Sequence, residues 1–275
     1  MAIISISREI ASSGNEIAER IAHKLGYQLI TGTDIEAKIV HYGFPAEKLP
    51  LFNEKRPLFW HSFTKERELY FNYLKLAILT FAEKDNCIFI GKGAWKILAD
   101  VPNHISFNFT APMEQRVTKY SKERNINVHH AGISLIKRDV KRKGYYKDYF
   151  KTDIDDPNNF SMTITTNDKN EHTVADLLSG MVNNFESEEL SLKGMKKIHE
   201  LLTQQKIINM LIIDNKLPIT DLNIKGEKKD LILTGLAQSS AQVDRALAII
   251  KMEYPDLNVT SEIRCVQDLR TGVRK

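Results

Sequence analysis

Four short apolar runs punctuate the first 165 residues: Ile3 to Ile6, Cys87 to Ile90, Ile105 to Phe109, and Met162 to Thr165. Each is strand-length, and Tyr27 to Ile30 predicts a further strand. Between them the period changes. Ile17, Ala18, Ile21, Ala22 and Leu25 fall on one helical face, and Leu69, Tyr73, Leu76, Ala77 and Thr80 form a stripe along a helix predicted from Glu66 to Glu83. Strands alternating with helices predict an α/β fold, a parallel sheet covered on both faces. Cys87-Ile-Phe-Ile is apolar at every position, as a central parallel strand is. Such sheets bind ligands beyond the carboxyl ends of their strands, so the loops after Ile6, Ile90 and Phe109 border one crevice.

Three segments break the alternation. Thr33 to about Lys65 carries Gly43, Pro45, Pro50 and Pro57 with the aromatics Phe52, Phe59 and Trp60, and reads as an irregular insertion over the crevice with those aromatics exposed. Lys137 to Lys151 is dense in cations and tyrosines and reads as a second insertion. The acidic Glu186-Ser-Glu-Glu189 marks a boundary. After it come a helix (Leu192 to Gln204), an apolar run (Met210 to Ile213), a strand (Asp230 to Leu236), a helix (Ala241 to Met252) and a strand (Asn258 to Val266). This is the pattern of a separate α+β module of roughly 80 residues. The expected domains are 1–185 and 190–270.

Composition narrows the class. With 42% hydrophobic and 27% charged residues, the 275-residue chain is neither disordered nor fibrous. No apolar run approaches the roughly 20 residues needed to cross a bilayer, and the start lacks the features of a secretory signal. Cys87 and Cys265 stand at no metal-ligand spacing and are expected as buried free thiols in a reducing cytoplasm. A net charge of +4 suits a phosphate-handling protein without demanding nucleic acid.

Candidate chemistry lies at the strand ends. The turn Ser12-Ser13-Gly14-Asn15-Glu16, between the first strand and its helix, allows backbone N–H groups and a helix dipole to approach an anion. A phosphate loop of the G-x-x-x-x-G-K-[ST] type would place lysine where Asn15 stands, so Arg8 or Lys92 is the candidate for the missing charge. Gly91-Lys92-Gly93 follows the second run, and either projects Lys92 into the crevice or makes an ordinary turn. Pro112 suits the first turn of a helix, Glu114 its positive end, and Arg116 lies one turn in, suited to bidentate phosphate contact or to a plain surface position. Arg138, Asp139, Arg142, Lys143, Tyr145 and Tyr146 suit a lid closing over phosphates; a solvated basic helix and a nucleic-acid surface are the alternatives. The short run and modest charge favour the lid. His129-His130 do not share a helix face and are set aside as metal ligands.

In this order the segments resemble the cytidylate kinase-like branch of the P-loop nucleoside monophosphate kinases. Ile4-Ser-Ile-Ser-Arg-Glu9, then Ser13-Gly-Asn-Glu-Ile-Ala18 and Leu25-Gly-Tyr27, are similar to that family's first strand, loop and helix. Ile90-Gly-Lys-Gly-Ala94 resembles its Gly-Arg-Gly-Ala segment, with Lys92 for arginine. Thr110-Ala-Pro-x-Glu-x-Arg116, Asp139-x-x-Arg142-x-x-Tyr145-Tyr146 and Thr152-Asp-x-Asp-Asp-Pro157 match later segments, and the likeness covers residues 1 to 182. It implies a three-layer αβα kinase core with lid and monophosphate-binding insertions. ATP phosphates would lie at Ser12 to Glu16 with Mg²⁺, and CMP or a related nucleotide under the 33–65 insertion. Arg116, Arg138 and Arg142, with Lys92, would supply the charge for phosphoryl transfer, and Asp34, Asp139 and Tyr145 would serve the substrate side. No resident metal ligand is assigned.

Departures fall at the expected ligand contacts. The family's Gly-Ser-Gly-Gly-Arg-Glu is Ala11-Ser-Ser-Gly-Asn-Glu16 here, and its Tyr-Asp-Leu-x-x-Asn-Thr is Phe160-Ser-Met-Thr-Ile-Thr-Thr166. Two expectations follow: a nucleotide kinase, possessing full or weakened catalysis, or a non-catalytic nucleotide sensor. Residues 190 to 270 resemble a BON-type module through Asp230-Leu-Ile-Leu-Thr-Gly-Leu236 and Leu257-Asn-Val-Thr-Ser-Glu-Ile263, which implies a protein partner or self-association rather than chemistry.

Overall fold

The computed structural model describes residues 2–52, 64–166 and 171–266. Strand β1 (Ile3–Arg8) is buried on both faces from Ile3 to Ser7 and forms the centre of a five-stranded sheet. The chain then runs through α1 (Gly14–Leu25), β2 (Gln28–Ile30), α2 (Gly32–His41), the single turn α3 (Leu49–Phe52) and α4 (Thr64–Ala82). It continues with β3 (Cys87–Ile90), the single turn α5 (Ala94–Ile97), β4 (His104–Thr110), α6 (Met113–Arg124), α7 (Val128–Phe150), β5 (Met162–Thr165) and α8 (Glu171–Phe185). All pairings are parallel and the strand order is β2-β3-β1-β4-β5. The chain therefore leaves β1 toward one side and returns past it to the other. Its loop opens at the switch point where α/β sheets hold ligands.

Alternation sets the layers. Ile4 and Ile6 of β1 pack with Ile17 and Ile21 of α1 and with Val174, Leu178 and Val182 of α8. Ile3 and Ser5 bury the opposite face, where the Ser5 hydroxyl meets the His104 ring at 2.7 Å. His104 is part-buried, and the loss of solvent around its ring lowers its pKa from 6.5 to about 3. Cys87 is buried within β3, and burial pushes its thiol pKa up. Cys265 is exposed rather than buried, because it lies in a short strand at the end of the described chain.

The segment after Thr33 departs from expectation. It begins as helix α2, with a reciprocal Thr31–Asp34 cap, and Phe52 is 2% exposed against Phe44 and Tyr70. Prolines and glycines mark its bends, but the aromatics between them find a core. Pro57, Phe59 and Trp60 lie outside the described residues.

The chain divides into two compact units, Met1–Ile198 and His199–Lys275. The division falls inside α9 (Glu188–Asn209), and the acidic stretch near 186–189 leads into that helix's start. The second unit contains β6 (Thr220–Glu227), β7 (Asp230–Ala237), α10 (Ser240–Glu253), β8 (Asn258–Ser261) and β9 (Arg264–Cys265). β6 pairs antiparallel with β7, while β8 and β9 pair parallel to it. Leu222, Leu231, Leu233, Ala246 and Ile250 build its core. Sequence periodicity missed β6, whose inward Leu222 and Ile224 alternate with exposed polar residues, and it merged β8 with β9.

Candidate active site

The turn from Glu9 to Ser13 takes its shape from two left-handed residues that are not glycine, Ala11 (φ 62°) and Ser13 (φ 59°). Ser13 caps α1 without a side-chain bond, so the first-turn N–H groups lack intrahelical acceptors at the positive end of the dipole. The Ser12 hydroxyl is turned into the protein and is not open to a ligand. The residue is 1% exposed and its Oγ donates to the carbonyls of Glu9 (2.8 Å) and Phe109 (3.3 Å). The Ser13 hydroxyl accepts from Lys119 Nζ at 2.8 Å.

Residues Arg8 to Glu16 line one wall of a cleft of about 320 Å³, and Tyr120, Glu123, Arg124, Arg138, Asp139 and Arg142 line the other. Arg142 is 8% exposed and donates to two neutral groups, Ser7 Oγ (2.7 Å) and Asn108 Oδ1 (3.3 Å). Arg124 and Arg138 each lie 5.9 Å from the ring centre of Tyr120. Among the described residues, none of these three guanidinium groups has a carboxylate partner. Two cations, Arg116 and Lys119, are shared among the four acids of the cleft, Glu9, Glu16, Glu123 and Asp139. Arg116 holds Asp139, with Glu9 at 3.4 Å, and Lys119 pairs with Glu16. Burial opposes charge on Glu16, but the Lys119 hydrogen bond and charge, with a backbone bond, bring its pKa below the usual carboxylate value. The balance leaves Arg124, Arg138 and Arg142 facing space that suits a polyanion.

Arg116 is therefore not displayed at the crevice. It is 2% exposed, donates from Nε to Ile10 O (2.8 Å) and forks onto Asp139 at 2.9 and 2.8 Å. Lys92 and Asp34 line no part of this cleft. Lys92 pairs with Glu36 on α2. Asp34 accepts from the hydroxyl and amide of Thr31, which lower its pKa. Tyr145 is buried with Tyr146, Tyr149 and Phe150 on the inner face of α7, beside Trp95 and Phe160. The cations Lys137, Arg138, Lys141, Lys143 and Lys147 thus form the exposed outer face of a helix whose inner face is aromatic, and Arg142 alone among the cations of this run is buried. Lys119, Tyr120 and Arg124 were missed. Their signal is positional: Arg116, Tyr120 and Arg124 recur every four residues, so α6 presents them on one face.

The described residues include no group of three potential metal ligands. Ser12, Glu9 and Glu16, the oxygens nearest the loop, are all engaged by protein donors or acceptors, so they do not fit a resident metal.

Comparison with known proteins agrees with this geometry. The profile of the cytidylate kinase-like family matches residues 3–168, more than half of the chain. The chain belongs to the cytidylate kinase-like family. The cytidylate kinase of Methanocaldococcus jannaschii is 27% identical over 106 residues, which span 38% of this chain and 60% of that enzyme. A crystal structure of an uncharacterized protein from Eubacterium ventriosum shares the fold, with TM-score 0.52 and 20% identity over 66% of this chain and 98% of that one. The shikimate kinase of Acinetobacter baumannii aligns at TM-score 0.39 and 16% identity over 67% of this chain and 94% of its own. The family member described here keeps the P-loop kinase core, a five-stranded parallel sheet flanked by helices. The family uses ATP and Mg²⁺ in general.

Proposed function

We propose that the cleft binds the phosphates of ATP and that the protein transfers the terminal phosphoryl group to CMP or a related nucleoside monophosphate. The observation that carries this is Arg142, a buried guanidinium held by two neutral oxygens and open to the loop. Burying a cation without a counter-charge is costly, and an arriving phosphate relieves that cost. Arg124 and Arg138 extend the positive lining toward a triphosphate. In the transfer, an acceptor phosphate oxygen bonds to the terminal phosphorus as its bond to the bridging oxygen breaks, and ADP leaves. The chemistry needs alignment and charge neutralisation rather than a protein nucleophile. The guanidinium groups supply the second, and closure by α7 excludes water. Mg²⁺ would arrive on the triphosphate with its own waters, since the loop carboxylates are occupied.

A second reading is a nucleotide sensor without turnover, favoured by Asn15 at the lysine position and by the Lys92–Glu36 pair on the acceptor side. Residues 190–270 would then act as a BON-type module that reports occupancy to a partner. The cytoplasm is the compartment that free Cys87 and Cys265 suit. One experiment separates the readings: ADP release is measured across the nucleoside monophosphates, with ATP binding followed by calorimetry. Turnover lost in Arg142→Gln supports the kinase; tight binding without turnover supports the sensor; no binding of any nucleotide overturns both.

A further inference from the structure

We infer that Lys119 is a positioning residue for phosphate binding: by neutralising Glu16 and holding Ser13, it keeps the start of α1 open to an anion. The inference rests on the donor-site reading above. No cation stands at position 15, where Asn15 accepts from Arg8 Nε at 2.8 Å. An ammonium reaches the loop instead from α6, 103 residues beyond Glu16. Lys119 Nζ lies 2.5 Å from Glu16 Oε1 and donates to Ser13 Oγ at 2.8 Å. Both of these residues line the cleft. Glu123 on α6 and Glu171 on α8 stand 3.8 Å from the same nitrogen, so acids on α1, α6 and α8 together fix its place.

Glu16 is what makes the lysine matter. It lies in the first turn of α1, and its carboxylate accepts from its own backbone N–H. A carboxylate there engages the positive helix end that an incoming phosphate requires. Left uncompensated, it would also repel that phosphate. Lys119 cancels the charge, and its bond to Ser13 steadies the left-handed residue (φ 59°) from which α1 starts. The lysine therefore acts through Glu16 and Ser13 rather than on the ligand.

The test is calorimetric titration of the whole chain with inorganic tripolyphosphate and with ATP, across a double-variant cycle. Lys119→Met is expected to weaken tripolyphosphate by about tenfold or more, and Lys119→Arg, which keeps the charge, by about threefold or less. Glu16→Gln should tighten binding about threefold with Lys119 in place and about tenfold or more in the Lys119→Met background. That larger gain is the mark of neutralisation, and a purely structural role would not produce it. Full affinity in Lys119→Met overturns the inference, as does a gain from Glu16→Gln that is no larger without the lysine than with it. Where Lys119→Met does not fold, Glu16→Asp serves, because it keeps the charge but draws it back from Nζ by one methylene. It should weaken tripolyphosphate about threefold, and unchanged or tighter binding overturns the inference. If Arg142→Gln weakens binding while Lys119→Met does not, the donor site stands and only this inference fails. If the unaltered protein binds no tripolyphosphate and no ATP, both fail.

Discussion

Arg116 and Asp139 are joined as a two-pronged pair, Nη1 to Oδ2 at 2.9 Å and Nη2 to Oδ1 at 2.8 Å, between α6 and α7. Arg116 also holds the Ile10 carbonyl, so one buried side chain ties α7 to the turn after β1. Asp139→Ala removes the two-pronged partner and leaves that buried guanidinium with Glu9 at 3.4 Å and the Ile10 carbonyl. It is expected to destabilise the first unit by about 1–3 kcal/mol in urea unfolding. Arg116→Lys cannot reproduce the fork and should rescue little. A loss under about 1 kcal/mol for Asp139→Ala would contradict the pairing.

Arg142 should show opposite signs in two measurements. Arg142→Gln removes a buried, acid-free charge, so the nucleotide-free protein keeps or gains stability. Affinity for ATP should nevertheless fall at least tenfold, the loss of one charge-assisted contact. Calorimetric melting with and without ATP checks both. A large loss of stability without nucleotide would make Arg142 a structural residue instead.

Backbone strain in the loop is open to a direct check. Ala11 and Ser13 hold positive φ, which costs a side-chain-bearing residue about 1–2 kcal/mol, partly offset by the entropy of the glycine alternative. Ala11→Gly and Ser13→Gly should each be neutral or stabilising by up to about 1 kcal/mol. Destabilisation by more than that would mean these side chains contribute contacts that outweigh the strain.

Gly93 lies against the C-terminal end of α7. A Cβ there would stand 2.0 Å from Phe150 Cζ, at a φ of 75°. Gly93→Ala is expected to cost at least about 1 kcal/mol, and Phe150→Leu to recover part of that in the double variant. Strict additivity in equilibrium unfolding would separate the two sites.

His104 predicts an acid-sensitive fold. Its folded pKa lies near 3, below the ordinary 6.5, so between these values the unfolded chain binds a proton that the native protein refuses. Stability should fall by up to about 1.4 kcal/mol per pH unit as pH drops from 6.5 toward 3, and be insensitive to this group above 6.5. His104→Gln should flatten that slope in unfolding measured across the range.

Much of this was legible in the chain. Five parallel strands, the helix after the first loop, and the long helix before Cys87 follow from apolar period, because each element's burial is written in its own neighbours. The loop and the Arg138–Arg142 segment were readable for the same reason: turn chemistry and charge density are local. What the pattern could not show was partnership. Arg116 and Arg142 are both arginines on helices, yet one is saturated by Asp139 and the other faces neutral oxygens toward the cleft. Phe52 looked exposed because its core partners lie elsewhere in sequence. Asn15 stands where a phosphate loop places lysine, and only folding lays the Arg8 side chain against it. Residue order specifies period and propensity over a few neighbours. Which charges cancel, and which are left for a ligand, depends on side chains brought together from distant stretches of chain, as Ser7 and Arg142 are across 135 residues and Lys24 and Asp176 across 152.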